Sequence, residues 1–536
     1  MPKYDHLTHD ELVSLLNARD RRDATRFGLV WEANEIERDK AVNADFVALD
    51  LQPEHSVGDA PWRNLVIEGD NFDALRYLRM PHAGRIKCIY IDPPYNTGNR
   101  DFVYNDRFVD VNDAWRHSTW VEFMYQRLLL AKDLLRQDGS IFVSIDDNEV
   151  FPLGMLMNKV FGPSNFVATC IWQKRTSPDA RIDLGPAHDY ILVWSRSKND
   201  ATFNRLGISE DQRAKYKNPD ADPRGAWTST DFTAQGYRPN QMYPITTPGG
   251  ETYSPPPGRC WANVEPVFKK LLVENRLWFG SNGKTRPRVK TYLSESEGIR
   301  SWTWWPNTEV GHNQEAKKEV ISILGDDVDT IFSTPKPVRL IERIIGLSTG
   351  PNDIVLDFFA GSGTTGHAVL KLNAEDGGNR RFILVSNAEA SSDAPDKNLC
   401  RDVCARRIRR VIEGFGDMPA LGGDFAYLRC RRIAPGRLLD IEHAQVWTAL
   451  QMIHRDTLAP FEPDGFSLAS DGETALVYVP RFTAAFLPTL RKAVADCSAV
   501  TLYSWQPETL RQHIRAAHVQ HEAIPESLCR RFGMKG

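Results

Sequence analysis

The chain has 536 residues, 41% of them hydrophobic and 25% charged, with a net charge of −4. Length and composition suit a soluble globular protein of about three domains. They exclude a membrane-spanning helix, since no apolar run reaches about 18 residues, and a global basic field, so any nucleic-acid surface must be local.

The N-terminal stretch MPKYDHLTHDELVSLLNARD lacks the apolar region of a signal peptide, which favours a cytoplasmic protein. Its Thr8-His9-Asp10-Glu11 has the form of a capping box opening an amphipathic helix. Residues 1–60 are expected to be helical and then loose. Strand–helix alternation begins at Asn64: NLVIEGD is a strand ending in Asp70, and NFDALRYLRM has helical spacing. IKCIYI is the next strand, Asp113 to Arg136 a long helix, and SIFVSIDD a strand ending in acids. This rhythm predicts an α/β fold with a doubly wound, mainly parallel sheet, whose first half covers 61–165.

The rhythm breaks near Phe166. Residues 166–325 are rich in Pro, Gly, Trp and Arg, with short β-like runs, and read as an inserted domain. Alternation returns over 326–420. There TPKPVRLIERIIGL turns helical after its prolines, and DIVLDFFAGSGTTGHAVLKL is a strand, a glycine turn and a helix. RRFILVSNAE is a further strand and NLCRDVCARRIRRVIEGF a basic helix. Residues 421–536 are expected to form a smaller, separate α/β domain. The eight cysteines form no CxxC pair, which argues for reduced thiols and against a metal site.

Gly361, Gly363 and Gly366 in GSGTTG fit G-x-G-x-x-G between a strand and a helix. Glycines let a backbone turn tightly and approach a ligand, while the helix N-terminus offers free N–H groups. Glu389, after the next strand and 28 residues beyond Gly361, can accept from ribose hydroxyls. NAD and S-adenosylmethionine both suit this fingerprint. A phosphate loop does not, because His367 follows the last glycine where a lysine is required. FGSNGKT, over 279–285, also fails as one, since Trp278 stands where its first glycine belongs.

The second motif is Asp92-Pro93-Pro94-Tyr95, at the tip of IKCIYI. Ligands bind at the C-terminal ends of strands in open α/β sheets. Two prolines stiffen the backbone and remove two donors. Acceptors therefore predominate: the Asp92 carboxylate and the Pro93 carbonyl. With the flat face of Tyr95 they suit a planar ring carrying an amine, whose two hydrogens they would hold while the ring stacks. Holding both hydrogens frees the nitrogen lone pair for attack on a methyl sulfonium, a catalysis of positioning and electrostatics. NAD becomes the weaker choice, since no acid/base pair for hydride transfer is evident.

These two motifs resemble those of the amino DNA methyltransferases. The catalytic motif precedes the cofactor motif by more than 260 residues, which resembles the circularly permuted β-class with its Rossmann-like methyltransferase sheet. NLVIEGDNFDALRYL, IDPPYNTGNRDFVYND, STPKPVRLIERII and NRRFILVSNAE are similar to the modification subunits of type III restriction–modification systems. The resemblance implies that Asp92, Pro93, Pro94 and Tyr95 hold and stack a flipped adenine. It implies that Asp357, Phe359, Gly361, Ser362, Gly363 and Thr364 line an S-adenosylmethionine pocket. Asp70 would meet the cofactor's adenine, Glu389 its ribose and Lys336 its methionine end. Ser386-Asn387 stands where many relatives place the ribose acid. An Asp-first motif points to adenine, where a Ser-first one would point to cytosine.

The resemblance also implies double-stranded DNA as substrate, a homodimer and a separate restriction subunit, for which 421–536 is a candidate contact. Residues 166–325 become the candidate target-recognition domain. They hold eight of the chain's 14 tryptophans, and KTRPRVK, where Lys284, Arg286, Arg288 and Lys290 alternate along an expected strand. Alternation would put all four cations on one DNA-facing side. A non-catalytic recognition module, a solitary DNA methyltransferase, and an RNA or protein methyltransferase are the alternatives.

Overall fold

The computed structural model describes residues 8–24, 46–97, 103–104, 107–108, 116–177, 183–208, 210–325, 334–390, 396–434 and 440–524. Helix α1 (His9–Ala24) opens with the expected box: the Thr8 amide donates to Glu11 Oε2 at 2.8 Å, and the Glu11 amide to Thr8 Oγ1 at 3.4 Å. Strand β1 (Phe46–Leu51) follows, then β2 (Leu65–Glu68), α2 (Asn71–His82) and β3 (Ile86–Ile91). Next come α3 (Arg116–Leu134), β4 (Leu135–Ile145), α4 (Val150–Phe161), β5 (Phe166–Gln173) and β6 (His188–Ser195).

After a long insertion the sheet resumes with β7 (Trp304–Trp305). It continues through α5 (Asn313–Leu324), α6 (Val338–Ser348), β8 (Ile354–Asp357), α7 (Thr364–Asp376) and β9 (Arg381–Ser386). A π-helical turn over Cys400–Ala405 leads into α8 (Arg406–Glu413), then β10 (Ala426–Ile433) and α9 (His443–His454).

Among the described residues, ten strands join one sheet in the order β1-β10-β2-β9-β8-β3-β4-β6-β5-β7. The six central strands, β10 to β4, are parallel. The innermost of them, β2, β3, β8 and β9, are buried along almost their whole length because helices cover both faces. The period of two decides which face each residue serves. Ile89 and Ile91 enter one core with α2, α3, α4 and α9; Cys88 and Tyr90 enter the other with α5 to α8.

All four expected internal boundaries move. Residues 166–195, expected in the insertion, instead supply β5 and β6, which extend the sheet antiparallel from β4. Trp172 and Trp305 lie buried in one sheet core and Trp194 in the other. The insertion proper spans 206–299, with its own core of Phe232, Ile245, Trp261, Phe268, Leu277 and Phe279. Residues 46–51, expected to be loose, form β1, and β10, expected in a separate domain, pairs in parallel with β2. The separate C-terminal layer begins later, as a four-stranded sheet within residues 467–523. Among the described residues the cysteines are free thiols, and no helix is long and apolar enough to cross a membrane.

Candidate active site

Strands β3 and β8 pair in parallel, with Val355 opposite Cys88 and Leu356 opposite Ile89. Their C-terminal ends therefore open side by side, and the two motifs meet there although the chain separates them widely. Lys336 spans the junction. Its Nζ lies 2.5 Å from Asp92 Oδ2, while its backbone carbonyl accepts from Thr364 Oγ1 at 3.2 Å. Side-chain exposure is 9% for Lys336 and 22% for Asp92, so water screens this pair weakly. The ammonium also sits 5.0 Å from the centre of the Tyr95 ring.

The other carboxylate oxygen, Asp92 Oδ1, is buried and meets no hydrogen-bond partner among the described residues. A buried acceptor left unmet costs free energy until a donor arrives, so this atom is poised for an incoming N–H. The tetrapeptide backbone is fixed from behind: Trp120, buried in α3, donates from Nε1 to the Pro94 carbonyl at 2.7 Å.

A second buried acid stands behind the tyrosine. Asp189, at the start of β6, pairs with Lys174 at 2.5 Å and accepts from the Tyr95 hydroxyl at 3.5 Å. Burial pushes the Asp189 carboxyl up, and the Lys174 charge opposes this. Burial, with Asp189 and Asp92 nearby, holds the Tyr95 phenol well above its ordinary value, so it remains a neutral hydroxyl.

The glycine turn is stabilised from its protein side. Gly361 and Gly363 have φ of +49° and +78°, which favours glycine. A Cβ on Gly363 would lie 3.1 Å from Cys404 Sγ and 3.2 Å from the Cys404 carbonyl, so this glycine's close approach is to the helix behind it. Asp357 is fully enclosed, accepting from the Phe359 amide at 3.0 Å and from Thr365 Oγ1 at 2.5 Å. Burial pushes its carboxyl up to about 7.

Ser362 and Thr364 also point inward. Arg407 Nη1 donates to Ser362 Oγ at 3.1 Å and to Thr364 Oγ1 at 2.8 Å. Of the expected pocket residues, Phe359 is the partly exposed side chain on this strand end, its ring 6.1 Å from Phe123. Arg127 stacks on Phe123 at 3.6 Å and reaches Asp70, whose carboxylate caps α2 through the Phe72 amide at 2.7 Å. Asn71 Nδ2 donates to the Phe358 carbonyl at 2.8 Å. Asp70 and Phe359 therefore share one rim. Glu389 lies beyond the end of β9 with φ +52° and pairs with Lys397 at 2.9 Å.

The four insertion cations do not form one exposed row. Arg288 is exposed, and its guanidinium bonds Ser229 across the strand pair. Lys284 and Arg286 are exposed too, but precede the strand, which covers only Arg288–Tyr292. Lys290 is the correction: its side chain is fully buried, paired with Asp220 and, at 3.1 Å, with Asp222. Two acids about 70 residues upstream draw it inward, and alternation within one strand cannot reveal them.

Sequence reasoning does not single out Asp189, Lys174, Trp120 or Arg407. The available signal was HDYILVWS, an apolar strand that opens on an acid.

Comparison with known proteins bears on the same residues. A family model described as DNA methylase matches residues 86–386, which hold both motifs and more than half of the chain. The chain is 35% identical over 441 residues to the Mod subunit of the type III restriction–modification enzyme StyLTI of Salmonella typhimurium, covering 75% of this chain and 66% of that one. It is 33% identical over 384 residues to the EcoPI Mod subunit of Escherichia phage P1, covering 61% and 58%. To the type II methyltransferase M.KpnI of Klebsiella pneumoniae it is 31% identical over 338 residues, covering 60% and 79%. The chain spans less than two thirds of the length of the two Mod subunits. With the matched segment containing the paired ends of β3 and β8, the chain belongs to the DNA methylase family.

Proposed function

We propose that this protein transfers a methyl group from S-adenosylmethionine to the N6 amine of an adenine flipped out of double-stranded DNA. The observation that carries the reading is the junction at Lys336, which touches both motifs and leaves Asp92 Oδ1 buried without a donor. A base reaching this point must leave its stack, at a cost of a few kcal/mol. Asp92 Oδ1 and the Pro93 carbonyl would then accept the two amine hydrogens, and the Tyr95 ring would stack on the base. Lys336 keeps the Asp92 carboxylate turned so that Oδ1, not Oδ2, meets the amine.

The residues present also fit the cofactor. The partly exposed Phe359 ring beside Asp70 suits an adenosine, and the left-handed glycine turn at the start of α7 suits a carboxylate. Bound there, S-adenosylmethionine supplies an electrophilic methyl on a sulfonium. The protein's own contribution is to orient the amine, keep water out and hold the Tyr95 phenol neutral. Glu389 is retained as the ribose acceptor, which would require it to leave Lys397.

The likeness to Mod subunits supports a role as the modification subunit of a cytoplasmic type III restriction–modification system. Such a subunit would work as a homodimer alongside a separate restriction subunit. Residues 206–299 would read the DNA sequence, with Lys284, Arg286 and Arg288 against its phosphates. The test is sequencing of modified bases in unmethylated DNA incubated with the protein and S-adenosylmethionine. N6-methyladenine at one recurring sequence is expected. N4-methylcytosine, or no modified base, would refute the reading.

A further inference from the structure

The residue after the catalytic tetrapeptide is held by a carboxylate that no motif includes. Asn96 is 1% exposed and has φ +56°, a left-handed backbone uncommon outside glycine. Its Nδ2 donates to Glu149 Oε1 at 2.5 Å and lies 3.4 Å from the Arg116 carbonyl. Glu149 precedes α4 and its side chain is fully buried. The same Oε1 lies 2.6 Å from Nδ1 of His117, in the first turn of α3.

One carboxylate therefore grips both ends of the connection from the tetrapeptide to α3: Asn96 on one side and His117 on the other. Glu149 Oε2 and Asn96 Oδ1 are buried without partners among the described residues. Enclosing a carboxylate is costly unless it is well paired. An apolar side chain would pack the same space at less cost, but it could not hold an amide and an imidazole in register.

We propose that Glu149 is a positioning residue for methyl transfer, clamping Asn96 to α3 so that the Asp92–Tyr95 backbone holds its acceptors in one geometry. The inference rests on the methyltransferase reading. Glu149 lies off the tetrapeptide itself, so its loss should lower turnover and spare cofactor affinity. A displacement of about 1 Å in a reacting group costs on the order of 100-fold in rate.

The test uses the full chain, unmethylated genomic DNA and methyl-labelled S-adenosylmethionine. It measures kcat, cofactor affinity by calorimetry and the melting curve. Glu149→Ala should lower kcat by roughly 100-fold with cofactor affinity within about twofold, and Glu149→Gln, which keeps an acceptor at Oε1, should recover at least about tenfold. Asn96→Gly removes the amide without straining the left-handed backbone. The double variant Asn96→Gly/Glu149→Ala should be no more than about twofold slower than Glu149→Ala alone, because both changes break one clamp.

Multiplying effects, or a Glu149→Ala enzyme within about threefold of the unaltered one, would overturn the inference. If Glu149→Ala does not fold, Asn96→Gly and the half-exposed His117→Ala replace it, and unchanged kcat in both overturns the clamp. No transfer by the unaltered protein would instead bring down the methyltransferase reading, and the clamp's purpose with it.

Discussion

Replacing Arg407 with methionine should unfold the cofactor turn from beneath. The guanidinium is fully buried in α8, bonded to Ser362 and Thr364, with Nη2 3.5 Å from Glu319 Oε2 and 3.4 Å from His367 Nδ1. Methionine fills much of the volume but leaves two hydroxyls without their donor and Glu319 without its cation. Removing one partner of a buried ion pair costs about 3–5 kcal/mol. Two features favour the lower end. The ion contact is long, and Glu319, 30% exposed and already pushed up by burial, can take a proton instead of standing charged.

A loss of about 3 kcal/mol is therefore expected in urea unfolding followed by tryptophan fluorescence. The double variant Arg407→Met/Glu319→Gln should regain about 1 kcal/mol through the broken pair. Affinity for S-adenosylmethionine should fall in parallel, since Ser362 and Thr364 belong to the turn. Stability within about 0.5 kcal/mol of the unaltered protein would mean that Arg407 is not what supports the turn.

Asp92→Ala should abolish methyl transfer while calorimetry finds cofactor affinity largely intact; joint loss would assign Asp92 a different task. Replacing Lys284, Arg286 and Arg288 by alanine should weaken DNA binding and lower the slope of log affinity against log salt by up to about three, whereas Lys290→Met should leave that slope alone and cost the insertion about 3 kcal/mol. Equal salt slopes in all of these variants would remove the phosphate assignment. Asp357, with its folded value near 7, holds a proton that an unfolded chain has already released. Stability should accordingly fall as pH rises from about 4 towards about 7, by at most about 1.4 kcal/mol per pH unit. Asp357→Asn should flatten that fall, and identical pH profiles of the urea midpoint would refute it.

Strands β2, β3 and β8 were legible because they are short apolar runs closed by acids, and because a glycine turn and a proline pair carry their conformations in their own residues. The tetrapeptide needed no partner to be recognised. What escaped was whatever depends on a distant neighbour. β1 and β10 join the sheet through each other and through β2, hundreds of residues apart in the case of β1 and β10, and no local period records such a pairing. Lys290 looked like its exposed neighbours until Asp220 and Asp222 were folded against it. Asp189 and Glu149 lie at strand and helix ends, where acids are common on any surface. Their enclosure is a tertiary fact.

The insertion begins at Leu206 and ends at Ile299, between β6 and β7, and these two residues exchange backbone hydrogen bonds of 2.8 and 3.0 Å. Among the described residues, the span between them thus hangs from one closed doorway. A segment with adjoining ends can be swapped, shortened or lengthened while the framework that carries it keeps its shape. On the proposed reading of 206–299 as the DNA-recognising segment, grafting another chain's equivalent through that doorway would test whether target choice moves with it while the chemistry stays.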